Sequence, residues 1–118
     1  MEIQIWAFCN TGVEQLIFNG VVTYFGLGVC DNCESLSNVQ FAEGQVSVGY
    51  GMFYKCTKLK TVFLPDSVQL IERGAFSDCS NLETIYYAGT EEQWSQITIE
   101  NENDCLQNIN IIFNSKNN

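Results

Sequence analysis

The stretch Gly51-Met52-Phe53-Tyr54-Lys55-Cys56-Thr57-Lys58-Leu59-Lys60-Thr61-Val62-Phe63-Leu64 decides the fold, because its chemistry recurs on both sides at one spacing. A matching segment opens at Gly74 (74 − 51 = 23) and another at Gly28 (51 − 28 = 23), and all three align without gaps. Cys30, Phe53 and Phe76 fill one column, and Cys33, Cys56 and Cys79 fill the next. Then come Leu36, Leu59 and Leu82, followed by Val39, Val62 and Ile85, and last Phe41, Leu64 and Tyr87. An eroded unit precedes them: Val13, Leu16 and Phe18 stand 23 residues before Leu36, Val39 and Phe41. Further upstream the register slips by one, so that Ala7-Phe8 answers Ala75-Phe76 and Ile3 answers Ile71. The second half of the unit is weaker. Val46 and Val48 are answered by Gln69 and Ile71, with Val68 as the alternative partner of Val46 if the loop adjusts by one residue.

A unit of this length cannot bury its apolar side alone, but a stack of such units buries a shared interior. The period falls in the leucine-rich-repeat range. Each Leu-x-x-Val-x-Leu run is then a short strand, stacked in parallel on its neighbours at about 4.8 Å. The expected architecture is a right-handed leucine-rich-repeat solenoid. It has a parallel β-sheet on the concave face, short turns or 3-10 segments on the other side, and a C-terminal helix-plus-strand cap. The chain reads as one domain, 1–118, with a degenerate N-terminal coil (1–27), three repeats of which the last is incomplete (28–89), and the cap (90–118). Leu59→Ala should cost about 2–5 kcal/mol, far more than Lys60→Ala, whose side chain points outward.

The cap is read from local signals. Thr90 and Gln93 have capping-box spacing, and Glu91 and Glu92 suit the positive end of a helix dipole. A helix from about Glu91 to Ile97 places Trp94 and Ile97 on one face, across the last coil. Ile109, Ile111 and Phe113 alternate as a final strand beside Leu82–Tyr87. By this reading the C-terminus is capped and the N-terminus is open. An open coil is an unpaired sheet edge, so self-association through the Met1–Phe18 end is expected.

The overall chemistry narrows the function. Fourteen acids against five bases give a net charge of −9, and Lys55, Lys58 and Lys60 form the one local basic cluster. Nucleic acid and anionic membranes require more clustered Lys and Arg than this. The sequence has no histidine, which removes Ser–His and Cys–His catalysis and His-ligated metals. No nucleophile motif of the Gly-x-Ser-x-Gly kind occurs. No apolar run of about 18 residues is present, so no membrane insertion is expected. Glu100, Glu102 and Asp104 lack the Gly and the later Glu of a calcium loop. They read as solvated, and no metal or other cofactor is expected.

Six cysteines are present. Cys30 and Cys33 have C-x-x-C spacing, which serves redox and zinc sites, but no second pair completes a four-thiolate site. Cys30 fills a Phe slot and Cys33 belongs to a ladder, so both read as small buried hydrophobes. Stacked side chains about 4.8 Å apart exceed the ~3.8 Å that a disulfide wants between Cβ atoms. Free ladder thiols are therefore expected. Cys9 and Cys105 stay open.

Residues 51–73 and 74–89 resemble the BspA-like leucine-rich repeats, whose pattern runs Gly-x-Ala-Phe-x-x-Cys-x-x-Leu-x-x-Val/Ile followed by a hydrophobic residue and Pro. Leu64-Pro65-Asp66-Ser67-Val68-Gln69-Leu70-Ile71 continues the match, as does Tyr86 to Trp94. Residues 28–50 match less well, with Cys30 for Phe and Ala42 for Pro. The resemblance implies a surface or secreted protein, often acting in adhesion. This chain shows no signal peptide, which reads as a fragment or a cytoplasmic protein.

Strands alternate faces. The residues between the inward ones form two outward columns, Gln15, Asn38, Thr61 and Thr84 beside Ile17, Gln40, Phe63 and Tyr86. Exposed aromatics on a rigid sheet make good anchors, so Phe63 and Tyr86 are expected to contribute most to recognition of a protein or glycan. The alternatives are that the pair only stacks to hold neighbouring strands, or that the whole array is a structural spacer in a larger surface protein.

Overall fold

A computed structural model of the chain describes residues 2–3, 12–25, 30 and 32–116. The strands are β1 (Glu2–Ile3), β2 (Gln15–Ile17), β3 (Tyr24–Phe25), β4 (Asn38–Gln40), β5 (Ser47–Val48), β6 (Thr61–Leu64), β7 (Leu70–Ile71) and β8 (Thr84–Tyr87). Helix α1 (Glu91–Ser95), β9 (Thr98–Ile99), a 3-10 turn (Asp104–Gln107) and β10 (Asn110–Ile112) follow. Every pairing is parallel, in a five-stranded sheet ordered β10-β8-β6-β4-β2, a three-stranded sheet β5-β7-β9 and the pair β1-β3. The chain is a β-solenoid. Turns lie opposite the larger sheet as expected, and the smaller sheet is an addition that the sequence reading lacked.

The repeat sets the register. Asn38 stands opposite Thr61, and Thr61 opposite Thr84, so the sequence columns are physical columns. Leu36, Leu59, Val39, Val62, Ile85, Phe41, Leu64 and Tyr87 are fully buried, and Leu82 is nearly so. Phe53 and Phe76 stack at 5.5 Å between ring centroids, Phe18 and Phe41 at 5.1 Å. Such pairs add to simple burial. The turns also repeat. Gly51 and Gly74 take φ of 57° and 66°, a conformation that costs glycine nothing. Gly89 is required for a different reason: an added Cβ would lie 2.7 Å from the buried Tyr87 ring.

The weaker half of the unit keeps the same register. Ser47 pairs with Leu70 and Val48 with Ile71, so Val46 answers Gln69 and the one-residue adjustment toward Val68 does not occur. The column mate of Val68 is Gln45, which is 1% exposed. Its amide is fully used. Oε1 accepts from the Val22 N–H at 2.8 Å, and Nε2 donates to the carbonyls of Val22 and Ser47. A buried amide is tolerated because it replaces coil-to-coil backbone bonds.

The repeat does not stop after Tyr87. β9 pairs with β7 (98 − 70 = 28) and β10 pairs with β8 (110 − 84 = 26), so the chain makes one further, longer coil. Helix α1 is an insertion in that coil and ends at Ser95, short of Ile97. Its capping box is complete: the Gln93 N–H donates to Thr90 Oγ1 at 3.1 Å and the Thr90 N–H donates to Gln93 Oε1 at 2.8 Å. Trp94 meets Tyr87 edge-on at 5.3 Å and Ile97 is 8% exposed. The expected closure is nevertheless incomplete. Ile99 stands in register with the fully buried Ile71 yet is 40% exposed. Ile3 stands in register with Phe25. Ala7, Phe8 and Cys9, and most of the expected Met1–Phe18 association surface, lie outside the described residues.

Candidate functional site

The outward face of the five-stranded sheet brings the predicted site residues together. Gln15, Asn38, Thr61 and Thr84 form one column, which Asn110 extends. Ile17, Gln40, Phe63 and Tyr86 form the other, which Ile112 extends. The polar column is wired: Gln15 Nε2 donates to Asn38 Oδ1 at 3.2 Å, and Asn38 Nδ2 donates to Thr61 Oγ1 at 2.6 Å. The apolar column presents Ile17 at 50%, Tyr86 at 40% and Ile112 at 46% exposure.

Phe63 corrects the sequence reading. It lies outside the core cluster, yet only 7% of its surface is exposed. A large ring flanked in register by Gln40 and Tyr86 is walled in by its neighbours on a flat sheet. Phe63 instead forms part of the lining of a shallow groove of about 260 Å³ with Glu43, Pro65, Ala88, Ser115 and Lys116. Tyr86 is thus the exposed aromatic of the face, and Ile112, absent from the predicted set, is its exposed neighbour. A fixed 23-residue search could not find Ile112, because its coil is longer.

None of the ten outward positions, two on each of five strands, carries a charge. Charges begin at the margin, where Lys60 and Glu83 meet at 3.9 Å with both side chains well exposed. Exposed pairs of this kind contribute little to stability.

The thiols belong to the interior. Cys30, Cys33, Cys56 and Cys79 are free and buried. Cys56 and Cys79 donate to the carbonyls of Cys30 and Phe53, at 2.9 and 3.1 Å. Cys105 donates to the Phe76 carbonyl at 3.2 Å, which assigns it to the next rung (105 − 79 = 26). A side-chain hydrogen bond with Cys33 and then burial push the Cys30 and Cys56 thiols well above the ordinary range. Burial does the same for Cys79 and, less strongly, for Cys105. These protonated thiols are the opposite of an activated nucleophile.

The acidic loop is occupied by structural work. Arg73 Nη2 donates to Glu102 Oε1 at 3.0 Å, and the Arg73 N–H donates to Glu100 Oε1 at 3.0 Å. The Arg73 contact lowers the Glu102 pKa and raises that of Arg73. Among the described residues no group of three or more acids and thiols is placed to hold a metal ion. Asn103, unnoticed in the sequence, is 5% exposed. Its Oδ1 accepts the Phe76 N–H at 2.9 Å, as the Ala75 carbonyl accepts the Phe53 N–H at 2.8 Å one coil earlier. A side-chain carbonyl thus replaces a backbone one. No helix among the described residues is long and apolar enough to cross a membrane.

The recurring columns, with a shared register across five coils, fix the family. The BspA type leucine rich repeat region matches residues 1–117 in six copies. The chain belongs to this family. A solved structure with the same fold is that of a leucine rich cell surface protein from Faecalibacterium prausnitzii A2-165, with a TM-score of 0.64 and 24% identity. The match covers 82% of this BspA-type chain and 32% of that protein, so the chain spans about a third of its length. No curated protein matches the chain.

Proposed function

We propose that this BspA-type chain is a non-catalytic recognition module of a cell-surface protein, binding a protein or glycan through the outward face of its five-stranded sheet. The observation that carries the reading is the strip in which Tyr86 and Ile112 stand side by side, both about half exposed, on rigid paired strands. Apolar groups held in the open on a stiff sheet lose little entropy on binding, and exposed patches of this sort mark interaction sites. The lack of histidine and the raised thiol pKa values argue against an enzyme. One observation favours a spacer instead: Ile99 is half exposed in a column that is buried elsewhere, as if for a further coil to cover.

A surface array of purified extracellular proteins and oligosaccharides tests the proposal. Tyr86→Ser with Ile112→Ser should weaken any binding by the unaltered chain at least about tenfold, the loss of one anchor of about 1.4 kcal/mol. Binding that survives the double change would move the site off this face. Self-association through residues 1–18 is the companion proposal. Light scattering with in-line chromatography should show a dimer or larger species that disappears when those residues are deleted, and a concentration-independent monomer would refute it.

A further inference from the structure

We infer that the ligand of this face is an uncharged saccharide chain rather than a polypeptide. The inference rests on the recognition reading above and narrows it. Nineteen of the 118 residues are charged (14 acids and 5 bases), yet all ten outward positions of the sheet are neutral. Protein surfaces are rich in Lys, Arg, Asp and Glu, and partners recognise one another by complementary charge. A face without charge offers no such pairing and would strip water from a protein partner's ions without return. A saccharide presents hydroxyls and C–H bonds and makes no such demand.

The two columns suit those two kinds of group. Gln15, Asn38 and Thr61 form a chain of aligned donors and acceptors, and amides and hydroxyls can both give and take hydrogen bonds with a sugar hydroxyl. Beside them the Tyr86 ring is open to solvent. The face of an aromatic ring is negative, so the weakly positive C–H side of a pyranose rests on it favourably. An extended peptide, by contrast, gains affinity from backbone bonds at a strand edge, and the face of a sheet has no free backbone groups to offer.

A printed array decides the matter. It carries neutral glucans, mannans, galactans and N-acetylhexosamine oligomers, sulfated glycans, folded proteins and unfolded polypeptides. It is probed with the unaltered chain, Tyr86→Ala, Tyr86→Phe and Thr84→Lys, each first shown by circular dichroism to be folded. Expected is binding to one or more neutral saccharides. Tyr86→Ala should weaken it at least about tenfold, Tyr86→Phe should retain it, and Thr84→Lys should impair it. Raising ionic strength from about 0.1 M to about 1 M should change it by less than about twofold, since no ion pair is screened. Binding to polypeptide spots alone, lost in Tyr86→Ala, would overturn the saccharide inference and leave the recognition face standing. Preference for sulfated glycans would overturn the inference too. Saccharide binding indifferent to Tyr86→Ala and Thr84→Lys, or no binding to any spot, would overturn both readings.

Discussion

The coil that contains β6 and β7 and the coil that contains β9 and β10 obey one register but achieve it by different means. In the first, a fixed spacing of 23 residues puts Leu59, Val62, Leu64 and Ile71 completely out of contact with water. In the second, the spacing stretches to 26 and 28 residues. Ile111, Phe113 and Cys105 are only partly buried there. Helix α1 takes up the extra length between β8 and β9. The Asn103 amide supplies the bond that a backbone carbonyl supplies elsewhere. Strand register in a solenoid therefore depends on a few inward side chains and coil-to-coil bonds. Coil length is free to vary where the chain turns.

The sharpest way to break this comparison is to truncate matched inward residues. Leu59→Ala should cost about 2–5 kcal/mol, because a buried leucine leaves a cavity between two intact coils. Ile111→Ala, in a half-buried column position, should cost less than half as much, since the gap opens to solvent. Urea unfolding of both variants measures the two costs, and equal losses would mean that the last coil is as well packed as the centre.

The thiol ladder sharpens the same contrast through pH. Cys30, Cys56 and Cys79 have folded pKa values raised well above the ordinary thiol value of about 8.5. The folded chain holds these protons after the unfolded chain has lost them. Their contribution is full below about pH 8.5 and falls as pH rises beyond it, by about 1.4 kcal/mol per pH unit for each buried thiol. Cys105, half exposed, should contribute less. Chemical denaturation between neutral pH and pH 10 should show the decline, and Cys56→Ala should flatten it more than Cys105→Ala. Alkylation of the denatured, unreduced chain should label Cys33, Cys56 and Cys79 alike. Fewer than three labelled would mean a bridged ladder.

What the sequence made legible follows the same division. The columns from Cys30 to Tyr87 were readable because each is filled by similar apolar residues at one interval, and the shared interior tolerates nothing else. The helix cap was readable because Thr90 and Gln93 interact within four residues of chain. The last coil was not, since its lengthened loop shifts Cys105, Ile111 and Ile112 out of phase with the period. Gln45 and Asn103 were opaque for another reason. Each is a polar residue buried to satisfy backbone groups of a neighbouring coil, and nothing local marks that duty. On the face itself the alternation placed Phe63 outward correctly, but alternation cannot tell that Gln40 and Tyr86 would enclose it.

Asn103 also offers a test of how far a side chain can stand in for the backbone. Asn103→Ala leaves the Phe76 N–H buried without an acceptor, and removes the donors to the carbonyls of Glu72 and Glu100. An unsatisfied buried donor costs about 1–3 kcal/mol, and hydrogen exchange at the Phe76 amide should accelerate more than at Phe53, whose acceptor is the Ala75 carbonyl. Equal acceleration at both amides would show global loosening rather than a local gap.

The smallest expected effect lies in helix α1. Thr90→Ala removes the acceptor of the Gln93 N–H and half of the reciprocal pair. Loss of such a cap costs about 1 kcal/mol. A five-residue helix is too short to persist alone, so what remains of it depends on Trp94 against Tyr87. If the insertion is independent of register, Thr90→Ala should blunt the near-ultraviolet circular dichroism of Trp94 while leaving exchange protection in β8 and β10 unchanged. Loss of protection in β10 would mean that the helix helps to hold the last coil in register. The long coil and the short ones would then differ in how they are locked as well as in how much chain they contain.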